Sequence, residues 1–186
     1  MDLRPWWYFL SIEKQFVETL NFVDLDPKNV ATFSNEFAKL LLLIGSEVDV
    51  IAKMICAGLP GGATAKSITH YCRVLTTEFP GIETIEIEVE RYPGPIVPWS
   101  GWKQNASPSW WKAHTDVKHH RDKAFGEANQ GNVLYAICGL FALLLYYYRA
   151  DDIVRLEPHP QLVSYPILPQ VLVGQNLRYQ GLPGVR

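Results

Sequence analysis

Seven residues within ten positions carry most of the chemistry this chain offers: Lys112, His114, Asp116, Lys118, His119, His120 and Arg121. Histidine titrates near neutrality, and lysine and arginine hold fixed positive charge, so the segment suits acid-base work beside an anion. Phosphoryl chemistry needs that pairing, a base for an attacking hydroxyl and cations for the phosphoryl oxygens. His119 is the candidate base, with Arg121 and Lys112 as candidate charge stabilisers. Lys118, His120, His114 and Asp116 are candidate substrate contacts. The competing expectation is a solvated helix face on which Lys118, His119 and Arg121 pair with Asp116 or Asp122.

Metal binding fits the spacing less well. On a helix, Asp116 and His120 share a face, while His114 and His119 diverge by roughly 140°, so at most two ligands converge. No HExxH or similar pattern nominates a third, and neither metal nor cofactor is expected.

The segment needs a scaffold, and the residues after it supply one. Val133 to Tyr148 is apolar except for Gly139. A helix hydrophobic all round must be buried by others. The sixteen-residue run is shorter than the roughly 18 to 20 residues of a bilayer span, which favours a core helix over a membrane one. Ser107-Pro108 supplies a cap and a first-turn proline for the helix bearing the basic cluster, with a kink expected over 121–127.

Upstream, apolar residues of helical period predict a helix from Trp6 to Phe22 with Glu13, Lys14 and Glu18 on its polar side. A long helix is expected over 28–57, opened by Asp26-Pro27 and stopped at Gly58, and a shorter one from Thr64 or Ala65 to Phe79. Ile85 to Glu90 alternates strictly, predicting a half-buried strand with Glu86, Glu88 and Glu90 on its solvated face. Three prolines make 93–104 a loop anchored by Trp99 and Trp102. Beyond 150, prolines at 158, 160, 166, 169 and 183 predict an extended arm, with a piece such as Gln170 to Val173 pairing with the strand. The expected fold is mainly α, a bundle of four to five helices over 1–150 with a short β element, followed by a Pro-rich arm over 151–186.

Composition narrows the classes. A net charge of -2 and a pI near 6.2 exclude a global basic field, so nucleic-acid contact would be local. Cys56, Cys72 and Cys138 lack CxxC spacing and sit in apolar helical patterns, as reduced thiols of a cytoplasmic protein do. The N-terminal stretch lacks a convincing signal-peptide pattern.

The run Trp110-Trp111-Lys112-Ala113-His114-Thr115-Asp116-Val117-Lys118-His119-His120-Arg121, with Phe125, Ala128-Asn129 and the aliphatic helix ending in tyrosines, resembles the corresponding segment of HEPN-like bacterial proteins. The earlier long helix with Ser46-Glu47-Val48-Asp49 is similar as well. The resemblance implies a helical bundle with a polar motif opening the last core helix. For catalytic members it implies metal-independent RNA cleavage by homodimers in defence or toxin systems, using an arginine followed after four to six residues by histidine. This chain departs from that motif: Lys112 stands six intervening residues before His119, and no histidine follows Arg121 at the expected distance. Alternatives are a non-catalytic helical interaction module, or a small-ligand protein using Trp99, Trp102, Trp110 and Trp111.

Overall fold

The computed structural model describes residues 2–150, 156–165 and 181–185. It is mainly α. Five helices, α1 (Arg4–Thr19), α2 (Asn35–Ala57), α3 (Ile68–Glu78), α4 (Ser109–Ala124) and α5 (Gln130–Tyr147), are joined by loops and short 3-10 turns. A two-stranded antiparallel sheet, β1 (Glu88–Val89) with β2 (Val163–Ser164), lies beside them, in register Val89 with Val163.

α5 is the central element. Fourteen of its residues, including the whole run from Ala136 to Tyr146, are buried. By length and composition this 18-residue helix could cross a membrane, yet 78% of it lies inside the bundle, sheathed most extensively by α2 and further by α4 and α1. Burial of a helix that is apolar on every side removes all its faces from water. Ile44, Ile51, Leu140 and Leu144 are all fully buried in this contact region.

The relative direction of α2 and α5 corrects the antiparallel packing that two long apolar helices would suggest. Just before both helices start, Phe33 bridges Asn129, the Ser34 N–H donates to the Ala128 carbonyl at 3.2 Å, and the Gln130 N–H donates to Thr32 at 2.9 Å. Both helices therefore begin at the same end of the bundle. Short loops force antiparallel neighbours, but α3, the loop region and α4 intervene here and carry the chain back before α5 begins.

Helix starts follow local capping chemistry. Asp26-Pro27 does not open α2. The Asp26 carboxylate instead accepts the Lys28 N–H at 2.8 Å in a turn, and Ser34 is the cap, its hydroxyl accepting the Phe37 N–H at 3.1 Å. Phe33 is consequently left exposed, edge-on to Phe125 at 5.6 Å. Ser67 caps α3, later than Thr64, and Asn129 caps α5 by accepting the Asn132 N–H at 2.9 Å. Ser107 makes no such bond, since Pro108 occupies the cap position of α4. α1 ends at Thr19 rather than Phe22.

The 85–90 alternation survives as burial: Ile85, Ile87 and Val89 are inside and the three glutamates outside. Only Glu88 and Val89 form ladder positions, with Ile87 bridging Ile96. The pairing segment from beyond 150 is Val163–Ser164; Gln170 to Val173 lies outside the described residues. Trp99, Trp102 and Trp110 pack together in the core, Trp99 on Trp102 at 4.2 Å, with the Trp110 indole N–H donating to the Pro98 carbonyl at 2.8 Å. Gly139 makes room for this cluster, because a β-carbon there would come within 2.8 Å of the Trp110 ring. The three free cysteines are buried, and burial pushes the Cys56 thiol up to about 11.

Candidate functional site: the cleft between α2 and α4

α4 turns one face to the bundle and the other to water. Trp110, Ala113, His114 and Val117 are buried at spacings of three and four, whereas Lys112, Lys118, His119, His120, Arg121 and Lys123 are exposed. The helix breaks at His120 (φ -137°, ψ 35°), one residue before the expected kink region, and the chain passes through a 3-10 turn at Phe125–Glu127 into α5.

A catalytic base is expected in a cleft beside Lys118 or Arg121, but His119 is exposed, with its ring 6.4 Å from that of His120. The buried face of α4 was already taken by Val117 and His114, and a residue two positions past Val117 falls on the water side. Among the described residues no ion pair engages Lys112, Lys118, His119, His120, Arg121 or Lys123. The expected pairing with Asp116 or Asp122 is therefore not made. Lys112 lies about two turns, or ~10 Å of helical rise, before His119.

His114 takes the inward position. It is 6% exposed and lines a cleft of about 430 Å³ together with Leu42, Gly45, Ser46 and Asp49 of α2 and Trp111 and Lys118 of α4. The imidazole presses against Gly45 so closely that a β-carbon there would fall 2.3 Å from Cδ2 and 2.4 Å from Nε2. Trp111 packs against the same ring at 5.0 Å.

Among the described residues neither ring nitrogen of His114 makes a hydrogen bond; Nδ1 is buried and unpartnered, and Nε2 lies against Gly45. Desolvation first, and then the charges of Lys118 and His119, push this histidine down to about 4, against a smaller opposing pull from Asp49. At neutral pH it is thus a neutral imidazole, able to donate or accept a hydrogen bond but a weak base.

Across the cleft, Asp49 is held by two neighbours. The Tyr71 hydroxyl of α3 donates to Oδ1 at 2.7 Å, and Lys53, one turn along α2, pairs with Oδ2. Burial and the Asp49 charge raise the Tyr71 phenol well above its ordinary range, so it stays a proton donor. The cleft therefore carries a fixed carboxylate on one side and the Lys118 ammonium on the other.

Sequence reasoning missed Gly45, Ser46 and Asp49 as neighbours of the histidine segment, and Tyr71 as the partner of Asp49. Gly45 offered one signal, a glycine inside a long helix that would by propensity be more stable with alanine by about 1 kcal/mol. Of the four tryptophans considered for a ligand pocket, only Trp111 lines the cleft; Trp99, Trp102 and Trp110 are core. Among the described residues no group of three or more His, Cys, Asp or Glu side chains is gathered as a metal site would require. A second groove of about 440 Å³ between the end of α1 and the start of α2 contains none of the residues nominated from sequence. No family model matches the chain, and no curated protein or solved structure matches it.

Proposed function

We propose that this chain is a HEPN-like helical protein that binds RNA through the exposed face of α4 and cleaves it without metal. The observation carrying this reading is the solvated set Lys118, His119, His120, Arg121 and Lys123, without ion-pair partners among the described residues, with Lys112 two turns before His119. Unpaired surface cations keep their charge for phosphates and gain by releasing condensed counterions. His119 takes the proton from a ribose 2′-hydroxyl, whose oxygen attacks the adjacent phosphorus. His120, 6.4 Å away ring to ring, protonates the departing 5′-oxygen, leaving a 2′,3′-cyclic phosphate and a 5′-hydroxyl. Arg121 steadies the phosphorane charge, and Lys112 contacts a neighbouring phosphate.

Tyr8 of α1 and Met54 of α2, both exposed and lining one surface groove, support assembly as a homodimer. Light scattering at micromolar protein should give twice the 21.1 kDa chain mass, and the monomer mass would remove that part.

The deciding experiment is incubation of the purified protein with end-labelled single-stranded and transfer RNA in EDTA. Cleavage leaving cyclic phosphate ends should vanish in His119→Ala with an unchanged melting temperature, because the side chain is exposed. Salt-sensitive binding without cleavage would reduce the reading to RNA binding. Absence of both would refute it and leave a non-catalytic helical interaction module.

A further inference from the structure

Phe22 is the most exposed large apolar side chain among the described residues, 89% open to water, yet the backbone that carries it is held fast. Its N–H and that of Val23 donate to the Thr19 carbonyl at 3.0 and 3.1 Å, and the Val23 carbonyl accepts from the buried Gln130 amide of α5 at 3.1 Å. Leu25, shortly after, is in the core. The turn after α1 thus presents the Phe22 ring on a fixed scaffold, which lowers the ordering cost of binding there.

Phe22 stands at the groove of about 440 Å³ between the end of α1 and the start of α2. Val23, Thr19 and the buried Phe37 line the groove with it, so the inside is mainly apolar. Phe33, one residue before the groove-lining Ser34, is a second exposed ring. Single exposed apolar side chains are ordinary, but two aromatic rings beside an apolar groove mark a contact surface. Walls made by two helix ends suit an inserted amphipathic segment.

The charges of the groove have one sign. Its ionisable lining groups are Glu18 and Glu36, with no lysine, arginine or histidine among them. Glu36 pairs with Lys39 at 2.6 Å, whereas Glu18 is exposed and has no ion-pair partner among the described residues. An apolar slot flanked by carboxylates is complementary to an apolar anchor beside lysine or arginine, and it repels an acidic segment.

We infer that this groove docks a cationic amphipathic segment of another protein, with an apolar side chain seated between Phe22 and Phe37 and a lysine or arginine beside Glu18. The inference goes beyond RNA cleavage and does not depend on it, since neither Lys112 nor any residue from Lys118 to Lys123 lines this groove. The basic α4 face of a second copy does not match that chemistry, because its exposed side chains include no large apolar anchor.

Fluorescence anisotropy of the full chain with two labelled peptides tests the docking. One probe is a short amphipathic helix of leucine and lysine, and the other has glutamate in place of each lysine. The lysine probe should bind saturably, and the glutamate probe should not. Phe22→Ser and Glu18→Lys, both at exposed positions, should each weaken the lysine probe by about tenfold or more with an unchanged melting temperature. Glu88→Lys makes the same charge change at an exposed position outside the groove and should bind as the wild type does.

The inference is overturned if the lysine probe does not bind, if both probes bind alike, or if Phe22→Ser leaves binding unchanged. It is equally overturned if Glu88→Lys weakens the lysine probe as much as Glu18→Lys, which would show attraction by overall charge alone. A halved mass by light scattering for Phe22→Ser would also overturn it, making the groove an interface between copies of this chain. RNA cleavage by His119 stands or falls on its own assay in every case.

Discussion

The His114 imidazole occupies the space that a side chain at Gly45 would need, at 2.3 Å from the position a β-carbon would take. Gly45→Ala should therefore destabilise the protein by about 1 to 3 kcal/mol, the usual cost of overpacking, despite the better helix propensity of alanine. In a His114→Ala background the same change should cost much less. Urea titration of the four proteins of this double-mutant cycle measures the coupling, and additive effects would refute the contact.

The same histidine makes stability depend on pH. Its folded value of about 4 lies below the ordinary 6.5, so the unfolded chain binds a proton that the folded one refuses. Its contribution is complete above about 6.5 and is lost as pH falls from there toward 4, by at most roughly 3 kcal/mol. Lys118 and His119 drive the shift after desolvation and Asp49 opposes it, so the Lys118→Ala protein should lose less. Unfolding titrations of wild type and His114→Gln at about pH 7 and pH 4.5 isolate the effect. Identical pH slopes in the two proteins would show that His114 is not held neutral.

Glu13 is buried, and its carboxylate accepts the backbone N–H groups of Leu162 at 2.8 Å, Gln161 at 3.0 Å and Val163 at 3.3 Å. It was expected on the polar side of α1; instead it fastens the segment that carries β2. Glu13→Ala leaves those donors without an acceptor and should cost about 2 to 4 kcal/mol, with faster proteolysis near 161–163. Burial outweighs the three hydrogen bonds and raises the Glu13 carboxyl. Its pH-linked contribution is thus fullest below the unfolded value and is lost as pH rises through the folded one, opposite in sign to that of His114. A Glu13→Gln protein with unchanged pH slope and proteolysis would contradict both points.

Leu144 is fully buried in α5, and Leu144→Ala should cost about 2 to 5 kcal/mol by denaturant titration. A loss below about 1 kcal/mol would show that the α5 core is loosely packed.

Removing a helix cap tests where α2 begins. Ser34→Ala should destabilise by about 0.5 to 2 kcal/mol, while Asp26→Ala, which loses only an exposed turn bond, should cost less. The reverse order would return the helix start to Asp26-Pro27.

Local chemistry is legible in this chain wherever neighbours along the sequence decide the outcome. The all-round apolarity of Val133 to Tyr148 requires an interior helix whatever surrounds it, and the 85–90 alternation sorts Ile85, Ile87 and Val89 from the glutamates because successive strand side chains point to opposite faces. The periodicity of α4 likewise implies one buried and one wet face. Which face is which depended on α2, since only the missing side chain of Gly45 opens a slot, and His114 rather than His119 is in register to fill it. The common starting end of α2 and α5, the Tyr71–Asp49 bond and the hold of Glu13 on residues 161–163 join positions distant in sequence. Capping, period and composition act over a few residues, whereas these contacts exist only because buried faces must find one another in three dimensions, and no local pattern encodes that choice.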